Sequence, residues 1–203
     1  MEYKELANLR HDVKHFDSKK VPLEDIKEII RTARLAPSGI NIQSWHFVVI
    51  DSIEAKNALL TEVKPSNHEQ IKTSGGLLVI FSDSHYVDRL KLISERAGKE
   101  FDDLETERFT NRYQTYVSNF DAEYLNTYMS TTTGLVTMNL LYAIYDKGYK
   151  ANVILGFNRS EKINELLKIN KKFRPELIVP FGKSEEIGKP SFRLDLEDIM
   201  EIR

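Results

Sequence analysis

Four short apolar runs limit what this chain can fold into: "HFVVI" at 46–50, "LLVIFSD" at 77–83, "ANVILGF" at 151–157 and "PELIVPFG" at 175–182. Each has the length of a strand, and none approaches the roughly 20 residues that span a bilayer. "LLVIF" has no polar alternation, the pattern of a strand covered on both faces. Helical segments lie between the runs. The order predicts an α+β fold, an α/β-type three-layer sandwich with a sheet between helices.

The clearest helix is "VPLEDIKEIIRTARLA" at 21–36. Pro22 suits a first turn, Glu24 and Asp25 favour its positive end, and Arg31 and Arg34 its negative end. Leu23, Ile26, Ile29, Ile30 and Ala33 share one face. Further helices are expected over 2–10, 53–63 and 160–169, with 64–76 as a polar stretch and 86–124 helical or mixed. A long helix over 121–147 closes at Lys147 and Gly148. Thr131, Thr132, Thr133 and Gly134 give it small residues that let another backbone approach. Burial in the chain's own core and packing against a second copy both fit that pattern. The tail at 189–203 reads as polar and irregular, then extended.

At 203 residues, with no repeat or linker, the chain fits one domain over 1–203. A net charge of −2 gives no reason to expect nucleic acid or an acidic membrane as partner. The absence of cysteine removes disulfides, thiolate metal sites and iron–sulfur clusters. The N-terminal segment is charged and has no apolar signal core, so a cytoplasmic location is expected.

No Gly-rich nucleotide loop, HExxH or GxSxG motif occurs. His11 and His15 have metal-ligand spacing on a helix, but Arg10 and Lys14 beside them repel a cation, so no metal is expected. Arg10 and Lys14, with Arg193 in the tail, suit an anion, because guanidinium offers paired donors to phosphate. The loop "LAPSGINIQSW" at 35–45 concentrates side-chain hydrogen-bonding groups at Ser38, Asn41 and Gln43. Gly39 permits close backbone approach or a positive φ. These groups suit either a turn that satisfies itself, with Trp45 anchored in the core, or the edge of a planar polar ring.

Taken together, "RHDVKHFD", "VPLEDIKEIIRTARLAPSGINIQSWHFVVI", "NVILGFN" and "VPFGKSEEIGKPSFRL" resemble the flavin-dependent nitroreductase family. The resemblance rests on Arg10, Lys14, Phe16, Ala36, Pro37, Ser38, Asn41, Gln43 and Trp45, in order and at the family's spacing. It implies a mixed β-sheet flanked by helices, in a homodimer with an exchanged C-terminal arm and two FMN sites at the interface. Arg10, His11, Asp12 and Lys14 are then expected at the phosphate, ribityl or pyrimidine parts of the flavin, with Arg193 closing on the phosphate. Pro37, Ser38, Gly39 and Asn41 would border the ring from the partner subunit. Asn67 matches a family asparagine that bonds the ring, Gln70 stands where some members have a lysine, and the amides of Leu155 and Gly156 would lie near N5. No catalytic side chain is assigned, because the flavin carries the chemistry. The implied activity is ping-pong, two-electron reduction of nitroaromatics, quinones or related small aromatic acceptors by NADH or NADPH. A flavin storage or sensor protein with little turnover is the alternative. Asp12, Gln70 and Ser191 depart from the family pattern and make the site less positive, while Ser44 replaces a proline.

Overall fold

The structure, a computed structural model, describes residues 2–97 and 103–203. Its centre is β2 (Gly76–Asp83), every residue of which is buried. β2 pairs with β1 (Trp45–Val49) on one side and β4 (Phe173–Gly182) on the other, and the two-residue β3 (Lys150–Ala151) pairs with β4. All three pairings among the described residues are antiparallel.

β2 explains the layering. Leu78 and Ile80 point into one core, with Ile26, Ile29 and Ala33 of α2 (Leu23–Ala33) and Val136, Leu140 and Ile144 of α7 (Ala122–Asp146). Leu77, Val79 and Phe81 point into the other, with Leu59 of α3 (Ile53–Leu60), Ile71 of α4 (His68–Thr73) and Ile163 of α8 (Glu161–Leu167). A strand with two apolar faces requires a layer on each, and the sandwich follows from the period of two. α1 (Tyr3–Leu9) adds Leu6 to the first layer. Trp45 is 5% exposed in that core, anchoring the end of the polar loop. Leu23 lies on the expected apolar side of α2 yet is exposed at the helix's first turn, while Ile26, Ile29 and Ala33 further along that face are buried.

Three segments differ from the sequence expectation, and the middle takes the helical one of the two forms expected for it. The strand expected over 151–157 ends after Ala151, apart from single bridges at Ile154 and Phe157. The next partner is Pro180, which accepts from the Asn152 N–H but has no N–H to return; the Asn152 side chain caps Val153 instead. The polar stretch after α3 holds a short 3-10 turn (Pro65–Asn67) and then α4. The middle is helical, α5 (Tyr86–Ala97) and α6 (Asp103–Ser118), with 98–102 outside the described residues. The tail contains α9 (Leu196–Ile199), and every residue from 189 to 203 is exposed. Among the described residues no helix is long and apolar enough to cross a membrane, and no cluster fit to hold a metal occurs.

Candidate cofactor site

The basic segment leaves α1 in extended form and is held from behind. The Tyr145 hydroxyl donates to the His11 carbonyl, and burial holds that phenol above its ordinary pKa, so it stays a neutral donor. Asp12 pairs with Arg10 at 3.3 Å, so part of the guanidinium's capacity is already spent. The Lys14 backbone N–H donates to Glu186 Oε2 at 2.6 Å, while its ammonium has no carboxylate partner among the described residues. Gly188, at φ +81°, brings the chain back so closely that a Cβ there would lie 2.4 Å from His11 Cβ. Asp12, Lys14, Glu186, Gly188, Lys189 and Ser191 line a cleft of about 510 Å³, within the size range of small-molecule sites. Beside it, His11 Nδ1 is buried and has no hydrogen-bond partner among the described residues. Arg193 lies two residues beyond the cleft lining, and among the described residues its guanidinium bonds the carbonyl of Phe192.

α4 joins this cleft to a second group of polar residues. His15 Nδ1 lies 3.0 Å from Glu69 Oε1, and the Phe16 N–H donates to Thr73 Oγ1 at 3.2 Å. At the start of the same helix Asn67 Nδ2 is 3.4 Å from the Gly156 carbonyl, and a Cβ on Gly156 would sit 3.1 Å from that nitrogen. Gln70, 2% exposed, donates to Asn67 Oδ1 at 3.2 Å and accepts from Asn152. The turn at 155–158 is braced from below: the Lys64 N–H bonds the Gly156 carbonyl at 3.1 Å, and the Asn158 N–H bonds the Glu62 carbonyl at 2.8 Å. Asn158 Nδ2 adds a bond to the Glu62 carboxylate at 3.0 Å. The N–H groups of Leu155 and Gly156 have no acceptor among the described residues, and Leu155 is 59% exposed. This arrangement offers consecutive amide donors and a side-chain donor to an outside group rich in acceptors.

The loop after α2 lies elsewhere. It forms a 3-10 turn (Gly39–Asn41), and the Ser38 hydroxyl accepts from the Gln43 N–H at 3.0 Å. Part of its polar chemistry therefore satisfies its own backbone. Positive φ falls on Ile40, Asn41 and Gln43, while Gly39 serves close approach: a Cβ there would be 1.9 Å from the Tyr128 hydroxyl. Arg89 of α5 donates to the carbonyls of Gln43 and Trp45, the latter at 2.8 Å. Tyr128 belongs to a group with Tyr116, Phe120 and Tyr124, in which Phe120 lies 4.5 Å from Tyr124 and 5.3 Å from Tyr128 between ring centroids. Burial raises the Tyr128 phenol, with its tyrosine neighbours adding to the shift.

Tyr128 and Tyr145 lie near opposite ends of α7; at roughly 1.5 Å of rise per residue, they are about 25 Å apart along its axis. Gly39 sits at one end and His11 at the other. One chain therefore brings Arg10, His11, Asp12, Lys14, Asn67, Gln70, Leu155 and Gly156 into one region and leaves Ser38, Gly39 and Asn41 at a distance. Arg89, Tyr128 and Glu186 carry no signal in the sequence, because each acts on a partner remote in the chain. Only Asn152, a polar residue inside an apolar run, marks its place.

The profile of the Nitroreductase family matches residues 8–183. A Streptococcus pyogenes protein named as an NAD(P)H nitroreductase is 32% identical over 203 residues, which cover 100% of both chains. The "CLA biosynthesis enone reductase" of Lactiplantibacillus plantarum is 30% identical over 194 residues, covering 92% of this chain and 87% of its own. A crystal structure from Exiguobacterium sibiricum, described as a nitroreductase in complex with FMN, is similar at a TM-score of 0.93 and 29% identity, covering 100% of this chain and 98% of that one.

Proposed function

Because this chain belongs to the nitroreductase family, we propose that it is an FMN-dependent oxidoreductase that draws electrons from NADH or NADPH and delivers them in pairs to a small, flat acceptor. The observation that carries the reading is the joining of the Lys14 cleft to Asn67 and the free N–H groups of Leu155 and Gly156. Those residues fit FMN, since the cleft offers cations to a phosphate and the turn offers donors to a ring edge. His11 Nδ1, buried without a partner among the described residues, is a further polar atom at that site. Bound FMN supplies two-electron redox chemistry, and the protein's part is orientation and exclusion of side reactions. Arg10 and Lys14 hold the phosphate end, with Arg193 brought in by the tail. Asn67 and the 155–156 amides hold the ring. Reductant and acceptor use the same opening in turn, which suits a ping-pong order and needs no nucleotide-binding loop. Nitroaromatics and quinones are the expected acceptors, and the enone reductase relative adds conjugated carbonyl compounds.

The proposal includes a homodimer. The separation along α7 keeps the 38–41 loop from its own chain's cleft, so a second copy must bring it there. α7 presents a surface for this: Thr127, Thr131, Gly134, Leu135 and Met138 lie at helical spacing and are exposed. A Cβ on Gly134 would touch nothing within 4 Å, so no contact within the chain requires glycine at a helix position where it costs about 1 kcal/mol against alanine. Approach of a second backbone supplies the reason. The tail carries Phe192, Leu194, Leu196, Ile199, Met200 and Ile202 uncovered, which suits an arm laid over the partner.

The test is the visible spectrum of the purified protein before and after anaerobic addition of NADH and NADPH separately, followed by turnover with a nitroaromatic, a quinone and an enone. The expected result is a yellow protein bleached by nicotinamide and recoloured by acceptor. A colourless protein that does not take up FMN, or a bound flavin that nicotinamide leaves unbleached, would sink the reading.

A further inference from the structure

One end of the polar cluster at Asn67 is fixed by a group whose role cannot change. The backbone N–H of Val153 can only donate, and it donates to Asn152 Oδ1 at 2.7 Å. The Asn152 amide nitrogen must then donate on its other side, where it meets Gln70 Oε1. Gln70 is left to donate through Nε2, which it does to Asn67 Oδ1 at 3.2 Å. Asn67 has its acceptor oxygen occupied and turns its Nδ2 toward Gly156. A carboxamide has nearly the same shape in either orientation, so its partners alone decide which end is which. Gln70 and Asn152 are 2% and 7% exposed, which keeps bulk water from competing for those roles. Asn67 stands at the N-cap of α4 but makes no side-chain cap there; its oxygen serves the Gln70 amide instead.

We propose that Asn152 and Gln70 form a one-way amide relay that holds the Asn67 carboxamide with its NH2 group toward the cofactor. The inference rests on the FMN reading above, in which Asn67 meets an acceptor atom on the flavin ring edge. Gln70 and Asn152 are positioning residues that act through Asn67. Reversal of the relay would set oxygen against oxygen at that contact.

Two near-isosteric substitutions reverse it. In Asn152→Asp the side chain offers only acceptors, so Gln70 must turn to donate back, and Asn67 must turn to donate to Gln70. Gln70→Glu imposes the same turn on Asn67 directly. Two measurements read the result. In flavin-free protein, water exchange of the Asn67 side-chain NH2, followed by nitrogen-15 NMR, should slow by roughly tenfold or more in both variants, because that group enters a buried bond. In titrations with FMN, both variants should bind at least about tenfold more weakly than the parent and shift the flavin's visible band in the same direction. Unchanged Asn67 exchange in the variants, or FMN affinity within twofold of a parent that binds it, overturns the relay. A parent that takes up no FMN while Asn67 exchange still slows in both variants overturns the cofactor reading and leaves the relay standing. If the acidic variants do not fold, Gln70→Met decides: it frees Asn67 to take both orientations, and FMN binding should fall by about threefold, whereas unchanged affinity refutes the proposal.

Discussion

Arg89 and Gln43 are joined by a side-chain-to-backbone clamp: the guanidinium on α5 donates to the Gln43 carbonyl at 3.0 Å through Nε and also through Nη2. The second nitrogen reaches Trp45 O as well. The polar loop thus has its exit carbonyls tied to a helix that follows β2 in the chain. Burial lowers the Arg89 pKa from its ordinary value, yet arginine titrates so high that the group stays charged. Arg89→Met leaves these carbonyls short of a charged donor and should cost about 2 kcal/mol, measured by urea denaturation. Arg89→Lys, a single point of donation, should recover less than half of it.

Gly39 is required by a neighbour, since its own φ lies outside the left-handed region. Gly39→Ala puts a methyl group against the Tyr128 hydroxyl and should destabilise by roughly 1–3 kcal/mol, the range for overpacking. Adding Tyr128→Leu removes the obstructing ring end and should recover most of the loss. Equal melting temperatures for the single and double variants would show that the contact is not the cause.

His46 stacks on Phe173 at 4.0 Å and is held below its ordinary pKa of 6.5, first by burial and then by Arg89, with Lys172 adding to the shift and Asp83 opposing it. The unfolded chain therefore binds more protons than the folded one between the depressed value and 6.5. Stability present above that upper value is lost as the pH falls toward and through the folded pKa. Denaturation midpoints measured from pH 8 down to pH 5 should decline on the acid side, and His46→Gln should flatten the part of the decline that begins near 6.5.

Lys14 brings to the cleft an ammonium with no carboxylate partner among the described residues, whereas Arg10 already shares its charge with Asp12. Lys14→Ala should weaken FMN by about tenfold to a hundredfold and leave riboflavin, which lacks the phosphate, within a factor of about two. Fluorescence quenching of the two flavins gives the comparison. A parallel loss for both would place Lys14 away from the phosphate.

The layering was legible because its signals are local: β2 has no polar alternation, α2 has apolar spacing with charges matched to its ends, and α7 has its stop at Lys147 and Gly148. β3 was misjudged because the residue that ends it, Pro180, lies on the neighbouring strand. α4 escaped because it is short and bears only a few buried side chains. The "SGINIQSW" loop was readable as chemistry, and the first of the two roles open to it is what one chain shows: Ser38 satisfies the backbone of its own turn, and Trp45 anchors it. What no local pattern could convey is distance. Nothing in the order of Lys14 and Asn41 along the chain says that α7 will hold them at opposite ends.

That separation has a genetic consequence. In the proposed dimer each active site takes its basic cleft from one copy and its 38–41 loop from the other. A chain damaged at Lys14 and a chain damaged at Asn41 would each form inactive dimers with themselves. Mixed together, they would form hybrids in which one site collects both lesions and the other has none. Two null alleles would then complement each other within a single molecule, restoring up to half of the activity of a parental dimer for every hybrid formed.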